Sequence, residues 1–175
     1  MNPILIVIIC GLGCSYLGTP LDKLAVKLKQ RVPVATVISR PHDAELYNIV
    51  RSKVDGRALI IVAHSRGGES AIHLARTLYD DGIVVDQIVL YDACGAVGLP
   101  PVPANVLVVV HYRPMISLCM IRMMMFGGLR PAENNHVTWF VVPERMASSH
   151  IGIAGLTKTH EEIIKDVVRI AGRRR

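Results

Sequence analysis

The sequence predicts a three-layer α/β/α domain built around a mostly parallel six-stranded sheet. Three observations lead there. Six runs are apolar and rich in β-branched residues, and amphipathic helical segments or long connections separate them. Each run is apolar throughout rather than alternating, as in strands covered on both faces by helices. With 175 residues, 51% hydrophobic and 19% charged, the chain has material for one domain with a sizeable core and is not a disordered chain. Residues 1–172 read as a single domain, and Arg173-Arg174-Arg175 as a basic tail.

Ile4 to Ile9 is the first strand, followed by a loop from Cys10 to Gly18. Thr19-Pro20 then opens a helix as cap and first-turn proline, and Leu21, Leu24, Ala25 and Leu28 share one face. Val34 to Ile38 is the second strand. Leu46, Ile49, Val50 and Val54 mark a second helix, ended by Asp55-Gly56. The third strand is Ala58 to Ala63, and the helix after it runs to Gly82 with Ile72, Ala75 and Leu78 facing inward. Gln87 to Tyr91 is the fourth strand. A proline-rich link from Leu99 to Pro103 precedes the fifth, Val106 to Val110, and Val137 to Val142 is the sixth. The last helix carries Thr159-His160-Glu161-Glu162, which reads as a capping box ahead of Ile163, Ile164, Val167 and Val168.

Right-handed crossovers bring the C-terminal ends of parallel strands to one sheet edge, where ligands bind in such sheets. Residues at those ends are therefore the candidates for chemistry. At the third, the apolar run Ala58 to Ala63 stops at His64-Ser65-Arg66-Gly67-Gly68, a sharp strand-to-helix turn with a serine at its apex. Such a turn drives the apex residue toward positive φ. It also requires small residues two before and two after, here Ala63 and Gly67.

This small-x-Ser-x-Gly pattern resembles the nucleophile elbow of the α/β-hydrolase family, with Ala63 in place of the first glycine. The resemblance extends from Ile4 to about Ile170. It implies a minimal α/β-hydrolase core that lacks the family's first two strands and any large cap domain, similar to proteins encoded in phage and bacterial genomes. It further implies Ser65 as nucleophile and, in the loop after the last strand, His150 as its base. Asp92, after the fourth strand, completes the family order of serine, acid, histidine. Most relatives carry the acid one strand later, but His111-Tyr112-Arg113-Pro114 follows the fifth strand and no carboxylate appears until Glu133, which is the alternative acid. An aspartate after a strand also caps turn N–H groups, here those of Cys94 or Gly95. For the oxyanion, the resemblance implies the N–H of Arg66 and a second donor from Leu12 or Gly13, with Cys14 nearby.

A Gly-capped turn in a phosphate-binding or structural protein is the competing reading of the elbow. Gly11-Leu12-Gly13 lacks the third glycine of a dinucleotide fingerprint, and no Walker lysine follows. Among the other histidines, His64 adjoins the nucleophile but points away from it. His73 lies down the elbow helix, His136 and His160 read as exposed or structural, and His42 and His111 end strands where they can line a pocket.

The resemblance therefore implies a serine esterase or thioesterase acting on a small ester or acyl substrate, without cofactor or metal. The alternative is a non-catalytic scaffold or binding protein that keeps this fold within a larger assembly. The residues from 115 to 126 include Met115, Met120, Met123, Met124 and Met125 and suit an acyl-chain wall or a homo-oligomer surface, or else a helix packed on the sheet edge. Arg113, Arg122 and Arg130 nearby leave room for an anionic group.

A formal charge of +6 raises the question of nucleic acid, but the basic residues are scattered and aromatics are only 5%, so no nucleic acid is expected. Cys10, Cys14, Cys94 and Cys119 show no metal spacing and sit in apolar surroundings, as buried thiols of a reducing compartment do. The first strand has no basic residue before it and no cleavage signal after it, and no apolar run approaches the ~18 residues of a membrane span. A cytoplasmic protein is the expectation.

Overall fold

A computed structural model describes residues 4–11, 20–39, 43–114, 121, 125–126, 128–142 and 152–173. In chain order these form β1 (Ile4–Ile9), α1 (Pro20–Arg31), β2 (Val34–Ser39), α2 (Leu46–Val54), β3 (Ala58–His64), α3 (Gly67–Asp80), β4 (Val85–Tyr91), β5 (Val106–Pro114), β6 (His136–Val142) and α4 (Thr157–Arg173), with a 3-10 turn at Gly152–Gly155. The six strands lie in the order β2-β1-β3-β4-β5-β6, and every neighbouring pair is parallel. Uniformly parallel pairing is the expected outcome for strands joined by helices rather than hairpins.

Strand alternation divides the core in two. Ile4, Ile6 and Ile8 of β1 pack with Leu21, Leu24 and Leu28 of α1 and Ile163 and Val167 of α4. Leu5, Val7 and Ile9 point to the opposite face, against Val50 of α2 and Ile72, Ala75 and Leu78 of α3. Every residue of β1, and every residue of β3 up to Ala63, is fully buried. At about 1.5–3 kcal/mol for each large aliphatic side chain removed from water, these two strands supply much of the driving force for folding. Exposure grows toward the edge strand β6, where Trp139 and Phe140 remain 40% and 45% accessible.

Two expectations about element ends are corrected. β5 runs to Pro114, four residues past Val110, because β4 and β6 both extend far enough to pair with it through Tyr112 and Pro114. The capping box at Thr159 does not form, because α4 begins earlier, at Thr157. Thr159 sits inside the first turn, where its hydroxyl donates to the Leu156 carbonyl at 2.8 Å, and Glu162 pairs with Lys165 instead. Thr157 and Thr159 both lie inside α4, so neither stands at the N-cap position that a capping box needs.

Candidate active site

The elbow is built by three close backbone approaches. Ser65 adopts φ 55°, a left-handed conformation that costs a residue with a side chain about 1–2 kcal/mol. Its neighbours sustain it. The Ser65 N–H donates to the Tyr91 carbonyl at 3.0 Å, which continues the β3–β4 ladder past the last strand residue. The Ser65 carbonyl accepts the N–H groups of Gly68 and Cys94, each at 3.0 Å. A Cβ on Gly67 would stand 2.4 Å from the Ile9 carbonyl oxygen, so helix α3 can start there only on a glycine. Ala63 is fully buried two residues before the serine. Of the two small residues that the sequence pattern singles out, Gly67 stands at a close backbone approach and Ala63 is buried in the core.

Two further contacts were not legible from the spacing. A Cβ on Gly11 would lie 2.8 Å from the Ser65 Cβ and 3.1 Å from the His64 Nδ1, so the backbone of Gly11 lies directly against the serine. A Cβ on Gly68 would lie 2.3 Å from the Ala93 Cβ, which packs the start of α3 against the turn after β4. The only linear signal for the second contact is the doubled glycine at 67–68.

Asp92 opens that turn. His64 and Tyr91 are register partners, so Ser65 and Asp92 leave the sheet from adjacent strands, whose backbones lie ~4.8 Å apart. Asp92 is 2% exposed and, like Ser65, takes a positive φ, 40°. Its N–H donates to the Tyr112 carbonyl at 2.8 Å, and the next N–H, of Ala93, donates to the His111 Nε2 at 3.3 Å. The N–H of Cys94 donates to the Ser65 carbonyl.

Glu133 lies far from this edge. It stands in the turn that opens β6, where Asn134 and Asn135 bond the carbonyls of Ala104, Pro103 and Val106 at the N-terminal end of β5. The seven residues of β6 separate it from the strand ends that carry Ser65 and Asp92, about 20 Å at ~3.3 Å per residue.

His150, Leu12, Gly13, Cys14 and His42 lie outside the described residues. Arg66 is within them, directly before α3 at φ −59°, so its N–H belongs to the first turn of a helix whose dipole favours negative charge. Its guanidinium pairs with Glu69 at 3.2 Å, and Glu69 also accepts the Ala96 N–H at 3.3 Å, which ties the residue after the nucleophile to the loop after β4. His64 is buried at 3% exposure, whereas His73 and His136 are exposed. His160 is buried and bonds the Ala154 carbonyl through Nε2 at 2.7 Å, and desolvation holds its ring below the usual histidine range. His111 is fully buried, and burial pushes its ring down to about 4 against the opposing charge of Asp92.

Of the cysteines, Cys10 and Cys94 are described, both buried just beyond the C-terminal ends of β1 and β4. Most of the Met-rich segment lies outside the described residues. Within it, Ile121, Met125 and Phe126 are exposed by 45%, 70% and 50%. Among the described residues, no helix is long and apolar enough to cross a membrane.

No protein-family model and no curated protein sequence matches the chain. Solved structures do. A protein of the alpha/beta hydrolase superfamily from Xanthomonas campestris pv. campestris superposes with a TM-score of 0.56 at 10% identity, over 92% of this chain and 98% of that one. YbtT, the type II thioesterase of the yersiniabactin NRPS/PKS pathway, gives 0.56 at 10% identity over 99% of this chain and 94% of its own. ClbQ, from the colibactin NRPS/PKS pathway, gives 0.51 at 10% identity over 94% and 99%. At this identity the likeness is one of fold, and it runs nearly end to end in both directions.

Proposed function

This chain has the α/β-hydrolase fold, and from that premise we propose that it is a serine hydrolase that cleaves a carboxylic ester or thioester through an acyl-enzyme on Ser65. The observation that carries the reading is the left-handed Ser65 at the apex of the β3–α3 turn, held by close packing on Gly11 and Gly67. Strain of this kind at a polar residue persists where the surroundings over-determine it, and it presents the hydroxyl above the sheet edge. The yersiniabactin thioesterase among the similar structures supports including thioesters in the substrate class.

In this reading His150 takes the Ser65 proton as the oxygen attacks the acyl carbon. The Arg66 N–H and one from Leu12 or Gly13 hold the oxyanion. His150 then returns the proton to the departing alkoxide or thiolate. Water, activated by the same histidine, attacks the acyl-enzyme to release the acid and restore Ser65. Asp92 orients the imidazole and stabilises its cation.

Assays on a short p-nitrophenyl ester and on a short acyl thioester test the activity. His150→Ala lowers kcat by about three orders of magnitude or more with the thermal transition unchanged, because triad members act as a unit. A loss under about tenfold removes His150 from the mechanism. The wild-type kcat/KM falls on the acid side around pH ~6.5, where an ordinary histidine base becomes protonated.

A further inference from the structure

His111 has no part in the mechanism above, yet among the described residues it is the most deeply buried histidine at the site edge. We propose that His111 is a positioning residue for the acid turn: its Nε2 holds the Ala93 N–H and thereby sets the direction in which Asp92 leaves the sheet. The inference deepens the serine-hydrolase reading and rests on it for its catalytic consequence.

Three successive N–H groups fix the turn. Those of Asp92, Ala93 and Cys94 donate to the Tyr112 carbonyl, the His111 Nε2 and the Ser65 carbonyl. The first and third bonds join backbone to backbone and persist whatever side chains surround them. The middle one depends on a single side chain. It falls directly after Asp92, whose positive φ is the conformation in most need of outside support. On the other side, the Ala93 methyl lies where any side chain at Gly68 would collide with it, at 2.3 Å. Ala93 is therefore held from β5 by His111 and from α3 by the bare backbone of Gly68.

The ring itself is held firmly. Trp139 on β6 packs against it with centroids 5.1 Å apart, and the Arg113 guanidinium lies 5.1 Å over the same indole. To accept from Ala93 at Nε2, the neutral ring carries its proton on Nδ1. That atom is buried with no hydrogen-bond partner among the described residues. A leucine in the same space would avoid this desolvated donor, so packing alone does not account for a histidine here, whereas the bond to Ala93 does. Burial keeps the ring uncharged near neutral pH. Nε2 thus remains an acceptor, and the neutral ring places no positive charge of its own beside Asp92.

The test compares His111→Leu, which removes the acceptor, with His111→Gln, whose amide oxygen reaches about as far as Nε2. Hydrogen exchange of the Ala93 amide is read by NMR, along with kcat and KM on a short ester at a temperature where each variant is folded. The expected result is loss of Ala93 protection in His111→Leu, with kcat down by about 10–100-fold and KM within about twofold, as for a misplaced catalytic group. His111→Gln should restore both protection and kcat to within a few-fold of wild type. Equal Ala93 protection in all three proteins overturns the proposal. So does an unchanged kcat in His111→Leu, or an equal kcat loss in both variants, which marks a packing role only. If the wild type hydrolyses nothing, it is the serine-hydrolase reading that fails, and the exchange of Ala93 still decides whether His111 holds the turn.

Discussion

Asp92→Asn is expected to lower kcat by about 10³–10⁴-fold while leaving KM and the thermal midpoint nearly unchanged. The substitution is isosteric, and asparagine is among the few residues that tolerate a left-handed backbone such as the φ of 40° found here. The backbone bond from residue 92 to the Tyr112 carbonyl is untouched. The side chain loses its charge and exchanges one acceptor oxygen for a donor. An amide in that place no longer stabilises the imidazolium and can hold the His150 ring in the wrong tautomer. Asp92→Ala serves as the contrast, since it removes the charge and also leaves an alanine in a conformation that costs about 1–2 kcal/mol, so its midpoint should fall as well. Steady-state kinetics beside a thermal melt separate the two. A kcat loss below about tenfold in Asp92→Asn would sink the assignment of the acid.

The largest expected effect on stability belongs to Gly67→Val. Its Cβ would meet the Ile9 carbonyl oxygen at 2.4 Å, and that carbonyl ends a central strand that is fully buried, so neither partner can withdraw cheaply. Overpacking against rigid backbone commonly costs 1–3 kcal/mol and exceeds that where nothing yields, so a loss of roughly 3–5 kcal/mol is expected. At about 2–4 °C per kcal/mol for a chain of this size, the midpoint should fall by ~6–20 °C, or the protein should fail to accumulate. Gly82→Ala is the control. Gly82 has φ +69° but nothing within 4 Å of a Cβ, so only the backbone strain of about 1–2 kcal/mol applies. Equal melting shifts for the two variants would contradict the close approach at the elbow.

Much of the fold could be read from the chain because its signals are local. The unbroken run from Ile4 to Ile9 requires cover on both faces, and Leu21, Leu24 and Leu28 provide one such face through the helical period alone. The elbow was equally legible, because small residues at 63 and 67 around a polar apex are a direct record of backbones that nearly touch. The start of α4 was not, because the helix begins just after the 3-10 turn at Gly152–Gly155, which places both Thr157 and Thr159 inside it. The length of β5 depends on β4 and β6 reaching far enough to pair with it, which is information held in other segments. His111 was recognisable as a strand-end histidine, but its bond to Ala93 joins residues 18 apart and leaves no periodic trace. Glu133 was the reverse case. It was a credible acid by order along the chain, yet it stands at the opposite edge of the sheet because a parallel β6 begins there.

Whether Ser65 is an activated nucleophile is tested most directly by covalent labelling. The folded protein is incubated with a fluorophosphonate probe at neutral pH, and its intact mass and the modified peptide are measured, with Ser65→Ala treated in parallel. A single adduct on Ser65 is expected in the wild type and none in Ser65→Ala. No adduct on folded wild type, or the same labelling in Ser65→Ala, would contradict it and leave the fold serving as a scaffold rather than as an enzyme.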